Sequence, residues 1–217
     1  MVHQRWKDFH FIITRVLTKP NYYRYKLLNK FRRRKTAQLY LNIGCGPRKI
    51  KRFVNIDYNL FYRPDMWLNV CNGLPFHDGT VDGIYCSEIL EHLYTDERDS
   101  LLKECYRLLK VGGGIRVIVP NLGNAIQSYV RENVEWFKEK PYSYRTIGGR
   151  LSNFLFMDGQ HRDCFDYNYL CEVLEKAGFT NVVQLKDGQS SIYNGEILCQ
   201  VEGKAEKYRL YIECFRT

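Results

Sequence analysis

Two glycines and one aspartate have the types and spacing of a site for a nucleoside-bearing cofactor. Gly44 and Gly46, separated by Cys45, directly follow an apolar run that ends at Ile43. Glycines at such a place let the backbone turn tightly and approach a ligand closely. Asp57 ends the next apolar run, where a carboxylate can accept hydrogen bonds from ribose hydroxyls. Taken alone, a G-x-G pair suits a dinucleotide equally well.

From residue 38 onward, short apolar runs alternate with longer amphipathic ones, a pattern that predicts strands joined by helices over a mostly parallel sheet. Strands are expected at 38–43, 53–57, 66–70, 81–86, 115–119, 182–185 and 209–215. Helices are expected at 96–109, 124–139 and 168–177, the last closed by Gly178. Only ten residues separate Gly46 from Asp57. Because a crossover with a full helix needs at least about ten to twelve residues, we expect a single turn or a loop there.

Four blocks of this sequence, in order, resemble the class I S-adenosylmethionine-dependent methyltransferases, in particular small predicted methyltransferases found with glycan-synthesis genes. The resemblance covers roughly residues 38 to 186. Each block is modest by itself, but their order and spacing are specific. The blocks are Leu41-Asn42-Ile43-Gly44-Cys45-Gly46, Asn55-Ile56-Asp57, Leu74-Pro75-Phe76 through Leu93 with Ser87-Glu88-Ile89-Leu90-Glu91-His92, and Glu104 through Gly112-Gly113-Gly114.

The resemblance implies an α/β fold: a Rossmann-like three-layer α/β/α sandwich whose mostly parallel, seven-stranded sheet has an antiparallel last strand. A basic, helical N-terminal arm over residues 1–37 would precede the methyltransferase domain over 38–217. The cofactor implied is S-adenosyl-L-methionine, with the loop before the fourth strand and the end of that strand enclosing adenine and the methionine end. The candidate cofactor contacts are Asn42, Gly44, Cys45, Gly46, Asp57, Asn69, Val70, Cys86 and Ser87.

Three positions depart from the family pattern. Asn42 stands where relatives usually have an acid, and Arg48 stands where a third glycine is common. Asn69 stands where an acid often contacts the adenine amino group, and its amide carbonyl can accept the same hydrogen bond. These departures keep a non-catalytic binding protein of the same fold as an alternative.

Methyl transfer is an in-line displacement, so the protein chiefly aligns the reacting atoms. If the acceptor is a hydroxyl, a histidine or carboxylate beside the sulfonium can take its proton. The candidate catalytic residues are Glu88 and His92 after the fourth strand, and His161 and Asp166 before the last long helix.

The same segment allows a metal site. If the chain from Ser87 onward is helical, Glu88, Glu91 and His92 share one face. Two carboxylates and an imidazole so placed can bind an oxygen-preferring cation, Mg²⁺ or Mn²⁺. Some metal-dependent O-methyltransferases carry a similar E-x-x-E-H, whereas many metal-free relatives show Glu-His-Leu here. The alternative is that Glu91 and His92 only hold this segment against its neighbours.

The net charge of +9 is concentrated in the first 37 residues. Eleven Lys and Arg stand there against the single acid Asp8, whereas the remaining 180 residues carry a net charge of −1. Trp6, Phe9, Ile13, Val16 and Leu17 recur at helical spacing before Pro20, and the arm ends in Arg32-Arg33-Arg34-Lys35. Either the apolar residues pack over the domain, or the arm binds an anionic partner, nucleic acid or a membrane surface.

The composition is that of a globular protein with one core. Eight cysteines without a C-x-x-C pair are expected to be reduced, and no transmembrane segment or secretory signal is visible. A cytoplasmic location is therefore expected, with peripheral membrane contact as an option. The function predicted is O-methylation of a small-molecule or glycan acceptor, such as a nucleotide sugar. The alternatives are a nucleic-acid methyltransferase that uses the arm, or the non-catalytic protein.

Overall fold

The computed structural model describes residues 4–31, 38–137, 143–198, 201–202 and 206–217. The basic run Arg32–Lys35 and the predicted helix end at Glu139 lie outside these residues.

A seven-stranded sheet forms the centre of the molecule. Its strands are β1 (Tyr40–Ile43), β2 (Val54–Asp57), β3 (Met66–Trp67), β4 (Val81–Ser87), β5 (Leu109–Pro120), β6 (Thr180–Leu185) and β7 (Arg209–Phe215), in the order β3-β2-β1-β4-β5-β7-β6. Pairing is parallel from β3 to β5, and β7 runs antiparallel to both β5 and β6. Six strands are therefore parallel and only the last strand is reversed, as the resemblance implied.

The helices of the domain are α3 (Thr95–Leu108), α4 (Leu122–Val130), α5 (Ile147–Phe156), α6 (Tyr167–Lys176) and the short α7 (Gly195–Leu198). Leu101, Leu102 and Cys105 of α3 and Leu170 and Leu174 of α6 are buried against one face of the sheet. Their spacing of three or four residues turns one stripe of each helix to the core. The predicted helices at 96–109 and 168–177 are confirmed to within a residue.

The second face of the sheet is polar and aromatic. Tyr85, Ile118 and Tyr211 pack there against Tyr193 and Leu198 of the segment that contains α7. Asn42 and Asn55 lie on this face, and the Asn55 side chain hydrogen-bonds Asn42, the backbone of Ile50 and Phe53, and Asp65. A fully bonded buried amide fixes the chain between β1 and β2 without a helix, which confirms the short connection predicted there.

Three predicted elements had wrong boundaries, and one helix was not predicted. The strand expected at 66–70 ends at Trp67, because Asn69 caps a 3₁₀ turn over Val70–Asn72. The helix expected at 124–139 ends at Val130 and is followed by a separate 3₁₀ turn over Val134–Trp136. The strand expected at 115–119 extends over Leu109–Pro120, and α5 was not predicted.

Helices α1 (Gln4–Leu17) and α2 (Lys19–Phe31) occupy the arm. Pro20 lies in the first turn of α2, where a missing N–H costs nothing. The face of α1 toward the domain carries Phe11 and Thr14 and continues into Thr18, which directly follows the helix. Both threonines are buried, and their hydroxyls donate to the carbonyls of Phe11 and Thr14.

Of the apolar residues that could pack over the domain, Phe9, Val16 and Leu17 face outward, Ile13 is half-buried, and the Trp6 side chain lies outside the described residues. The exposed fractions are 54% for Phe9, 64% for Val16 and 54% for Leu17. Side chains three and four positions apart share a face, and here the stripe through Phe11, Thr14 and Thr18 makes the contact. None of the helices in the described ranges is long and apolar enough to cross a membrane.

Candidate functional site

A cavity of about 400 Å³ lies at the carboxyl ends of the parallel strands. Gly44 after β1, Asp57 at the end of β2, Leu68 and Val70 after β3, and Ile89 after β4 line it. This is the edge at which doubly wound sheets bind ligands, and the volume falls within the range of small-molecule sites. Helix α1 contributes Asp8, Phe11, Ile12 and Arg15 to the wall.

Gly44 gives the cavity a bare backbone floor. Its φ of 62° is left-handed, a conformation that favours glycine. A Cβ atom at this position would lie 2.4 Å from Cδ1 of Ile89. The left-handed turn therefore favours glycine here, and any larger residue would also have to displace the Ile89 side chain.

Asp57 is the acidic group of the cavity. Its Oδ2 accepts the N–H of Gly46 at 2.7 Å and its Oδ1 accepts the N–H of Asn59 at 2.7 Å. Burial raises the pKa of this carboxyl, and hydrogen bonds from backbone N–H groups oppose that shift. Because an ionised carboxylate has about four acceptor sites, two sites remain for hydroxyls of a ligand.

Two predicted cofactor contacts serve the framework instead. Asn42 is buried and its amide donates to the carbonyl of Arg48 and to Asn55. Asn69 is fully buried: its Oδ1 accepts the N–H of Cys71 at 3.0 Å and its amide donates to the carbonyl of Phe11 at 3.1 Å. Asn69 therefore ties the domain to α1 and leaves no oxygen facing the cavity.

Of the other predicted cofactor contacts, some lie at the cavity and some do not. Val70 lines the cavity, and Gly46 contributes its N–H to Asp57. Cys45 and Cys86 are buried, and burial raises the pKa of both thiols. Ser87, like these two cysteines, does not border the cavity in the described part of the chain.

The chain after β4 is not α-helical, so the predicted common face of Glu88, Glu91 and His92 was wrong. Glu88 has a left-handed φ of 58°, and the only helical turn is a 3₁₀ turn over Leu90–His92. Glu88 borders the cavity and accepts a hydrogen bond from Nε of Arg209 at 2.8 Å. Because the backbone kinks at Glu88, its side chain points to Arg209 and does not share a face with Glu91 and His92.

A carboxylate and two imidazoles meet below the cavity. Donor atoms of Glu91, His92 and His161 lie within 4.8 Å of one another. The two rings pack edge to face with centroids 5.0 Å apart. Burial, with His92 beside it, lowers the pKa of His161 to about 4, and burial beside Glu88 raises the pKa of Glu91. His92 also borders the cavity, whereas His161 does not.

The predicted catalytic residue Asp166 is a helix cap. Its Oδ1 accepts the N–H of Tyr169 at 2.8 Å at the start of α6, and it lies outside the cavity lining. An N-cap carboxylate satisfies an otherwise unpaired backbone donor. Asp166 is therefore explained by the stability of α6.

Sequence reasoning missed the part that α1 plays in the site. Asp8 accepts a hydrogen bond from Arg162 at 2.7 Å, and Arg15 donates to Glu97 at 3.0 Å. These two ion pairs cross the cavity from α1 to the domain, since all four residues line it. The sequence held one indication of this role: Asp8 is the only acidic residue in a strongly basic arm.

Comparisons with known proteins agree with this architecture. Residues 58–117 match the family described as a methyltransferase domain. An uncharacterized protein of Methanocaldococcus jannaschii is 32% identical over an alignment that covers 55% of this chain and 56% of that protein, so the match spans little more than half of the relative.

Two solved structures are similar to this chain. A SAM-dependent methyltransferase from Archaeoglobus fulgidus superposes with a TM-score of 0.50 and 18% identity, over 93% of this chain and 94% of its own. A possible histamine N-methyltransferase from Thermotoga maritima has a TM-score of 0.49 and 18% identity, over 98% of this chain and all of its own. Residues 58–117 therefore resemble a methyltransferase domain, and the chain shares the fold of the Archaeoglobus fulgidus methyltransferase.

Proposed function

We propose that the chain is an S-adenosylmethionine-dependent methyltransferase that holds its cofactor in the 400 Å³ cavity. One observation carries the proposal: the glycine floor at Gly44, the carboxylate of Asp57 and the apolar side chains of Leu68 and Val70 all face the same cavity. Asp57 fits the ribose hydroxyls, and the apolar side chains fit the flat adenine ring. The bound cofactor supplies a methyl group already activated by its sulfonium.

The acceptor end of the cavity carries Glu88, His92 and Arg162. Nδ1 of His92 lies 3.1 Å from the carbonyl of Gln160, and because a carbonyl only accepts, Nδ1 bears the proton. Nε2 then has a lone pair that can take the proton of an acceptor hydroxyl. Since α1 closes one side, we propose a small hydroxyl-bearing acceptor, with sugars and nucleotide sugars as the first class to test.

Calorimetric titration with S-adenosylmethionine and S-adenosylhomocysteine tests the cofactor directly. We expect one site per chain with a dissociation constant in the micromolar range, because a cavity of this size buries most of a ligand of this kind. The control is adenosine monophosphate, which has the ribose and adenine but no amino-acid end. Absence of heat with both cofactor forms would favour the non-catalytic protein of the same fold.

A second proposal concerns the outer face of the arm. We propose that it binds an anionic membrane surface. Phe9, Val16, Leu17, Leu27 and Leu28 are all exposed on α1 and α2. Lys19, Arg24 and Lys26 are exposed among them. Apolar side chains interleaved with basic ones suit the interface of an anionic bilayer, where the former insert and the latter meet headgroups.

Sedimentation of the full chain with lipid vesicles tests this surface. We expect binding to vesicles containing phosphatidylserine, weaker binding to purely zwitterionic vesicles, and a loss with added salt. Val16→Asp should reduce binding about fivefold by placing a charge in the inserted face, as one charge near the surface changes the energy by roughly 1 kcal/mol. Val111→Asp is the matched control, because Val111 is 77% exposed on β5.

Equal sedimentation of Val16→Asp and the wild type would contradict the membrane surface. Salt-sensitive binding of an oligonucleotide in place of vesicles would instead support the nucleic-acid alternative.

A further inference from the structure

We propose that Glu91, His92 and His161 form a binding site for a divalent transition-metal ion, Zn²⁺ in particular. The site stands independently of the cofactor proposal. It replaces the set of Glu88, Glu91 and His92 expected from the sequence, and its two nitrogens and one carboxylate favour zinc over magnesium.

The first support is the state of Glu91. Its side chain is 99% buried, and neither carboxylate oxygen has a hydrogen-bond partner among the described residues. Nε2 of His92 lies 4.0 Å from its Oε1. A buried carboxylate without hydrogen bonds is costly unless it is protonated or coordinates a metal. The carboxylate of Glu91 is therefore available to coordinate a cation.

The second support is the orientation of the two imidazoles. Nδ1 of His161 lies 2.9 Å from the carbonyl of Leu155, as Nδ1 of His92 lies 3.1 Å from that of Gln160. Both Nδ1 atoms must be protonated to make these bonds, which leaves both Nε2 lone pairs for coordination. Metal-binding histidines commonly donate their second ring nitrogen to a backbone carbonyl in this way, because the bond fixes the tautomer and the ring plane.

The third support is distance. One donor atom of each residue lies within 4.8 Å of the other two. In a tetrahedral site, bonds of about 2.1 Å to zinc place two ligand atoms roughly 3.4 Å apart. Side-chain rotation that brings the three donors closer by about 1 Å would therefore close them on one ion. The backbone N–H groups of Arg162 and Asp163 donate to the carbonyl of Glu91 and hold the two segments together.

Metal at this position would bear on the proposed chemistry. His92 borders the cavity, and three protein ligands leave a tetrahedral ion one open position. An acceptor oxygen bound there would be acidified by the ion, and Nε2 of His92 would then be a ligand instead of the proton acceptor.

The test is metal binding by the full-length, tag-free chain after treatment with a chelator. We expect one Zn²⁺ per chain by equilibrium dialysis and a visible absorption band with Co²⁺, whose intensity reports a tetrahedral site. Glu91→Gln and His161→Gln, both near-isosteric, should each weaken binding at least about 100-fold, more than the usual loss from a second-shell change. Circular dichroism shows whether each variant is folded.

His77→Gln is the matched control, because His77 is exposed and lies before β4, away from the cluster. Binding that is equal in Glu91→Gln, His161→Gln and His77→Gln would overturn the site and place the metal elsewhere in the chain. No binding by the wild type would also overturn it and leave Glu91 as a protonated buried acid. Neither result affects the cofactor titration, so failure of this proposal and of the proposed function are distinguishable.

Discussion

Asp57→Ala is expected to weaken the binding of S-adenosylhomocysteine about 100-fold or more. A hydrogen bond to a charged group contributes roughly 1.5 to 3 kcal/mol, and the carboxylate has acceptor sites for both ribose hydroxyls. The alanine variant also leaves the N–H groups of Gly46 and Asn59 without their acceptors. The variant therefore loses the hydrogen bond that holds the turn at Gly46 as well as the contact with the ribose. Calorimetric titration of the folded variant measures the loss.

Glu172→Ala is the control for this change, because it removes an exposed carboxylate from α6. Asp57→Asn adds a second comparison: one amide oxygen replaces two carboxylate oxygens, and its NH₂ must face a backbone donor. We expect intermediate or alanine-like binding from it. If Asp57→Ala bound the cofactor within threefold of the wild type, the ribose contact would have to lie elsewhere.

The parts of the fold that were predicted correctly depend on local patterns. The period of apolar residues and the two glycines define β1, β2, β4, α3 and α6, because these elements bury one stripe or both faces over several residues. The short connection between β1 and β2 followed from chain length alone. The position of Gly44 and Asp57 at one cavity followed from the rule that parallel strands end at the same edge.

The errors have a common physical cause, because each depends on contacts between distant segments. Asn69 matched the family's adenine position, yet the carbonyl of Phe11, 58 positions earlier, binds its amide. The exposed side of α1 could not be predicted, because Thr14 and Thr18 look polar in sequence but satisfy their hydroxyls within the helix. Periodicity alone therefore left open whether the apolar stripe packs over the domain or faces outward.

The candidate metal cluster shows the same limit. Glu91 and His92 were singled out from the sequence, but their third partner was assigned to Glu88, four positions before His92. The left-handed backbone at Glu88 turns that side chain to Arg209, while His161 comes from a segment 69 positions beyond His92. A kink at one residue changed the ligand set, and no local pattern announces such a kink.

Arg116→Met is expected to lower the free energy of unfolding by about 3 to 5 kcal/mol, since it removes one partner of a buried charge network. The Arg116 side chain is fully buried in β5. It donates to Glu202 at 2.6 and 2.9 Å and to Glu213 at 3.1 Å, and both carboxylates are themselves buried. Methionine keeps the apolar volume but leaves two carboxylates without their cation. Urea denaturation followed by fluorescence measures the change.

Lys110→Met is the matched control, because it removes a cation from the same strand at an exposed pair. Nζ of Lys110 lies 2.6 Å from Asp82, and the lysine side chain is 46% exposed, so the loss should be at most about 1 kcal/mol. Adding Glu202→Gln and Glu213→Gln to Arg116→Met should recover part of the stability, because the buried charges disappear together. Equal destabilisation by Arg116→Met and Lys110→Met would mean that water reaches this network. Arg116 would then not be needed to hold the segment containing Glu202 against β5 and β7.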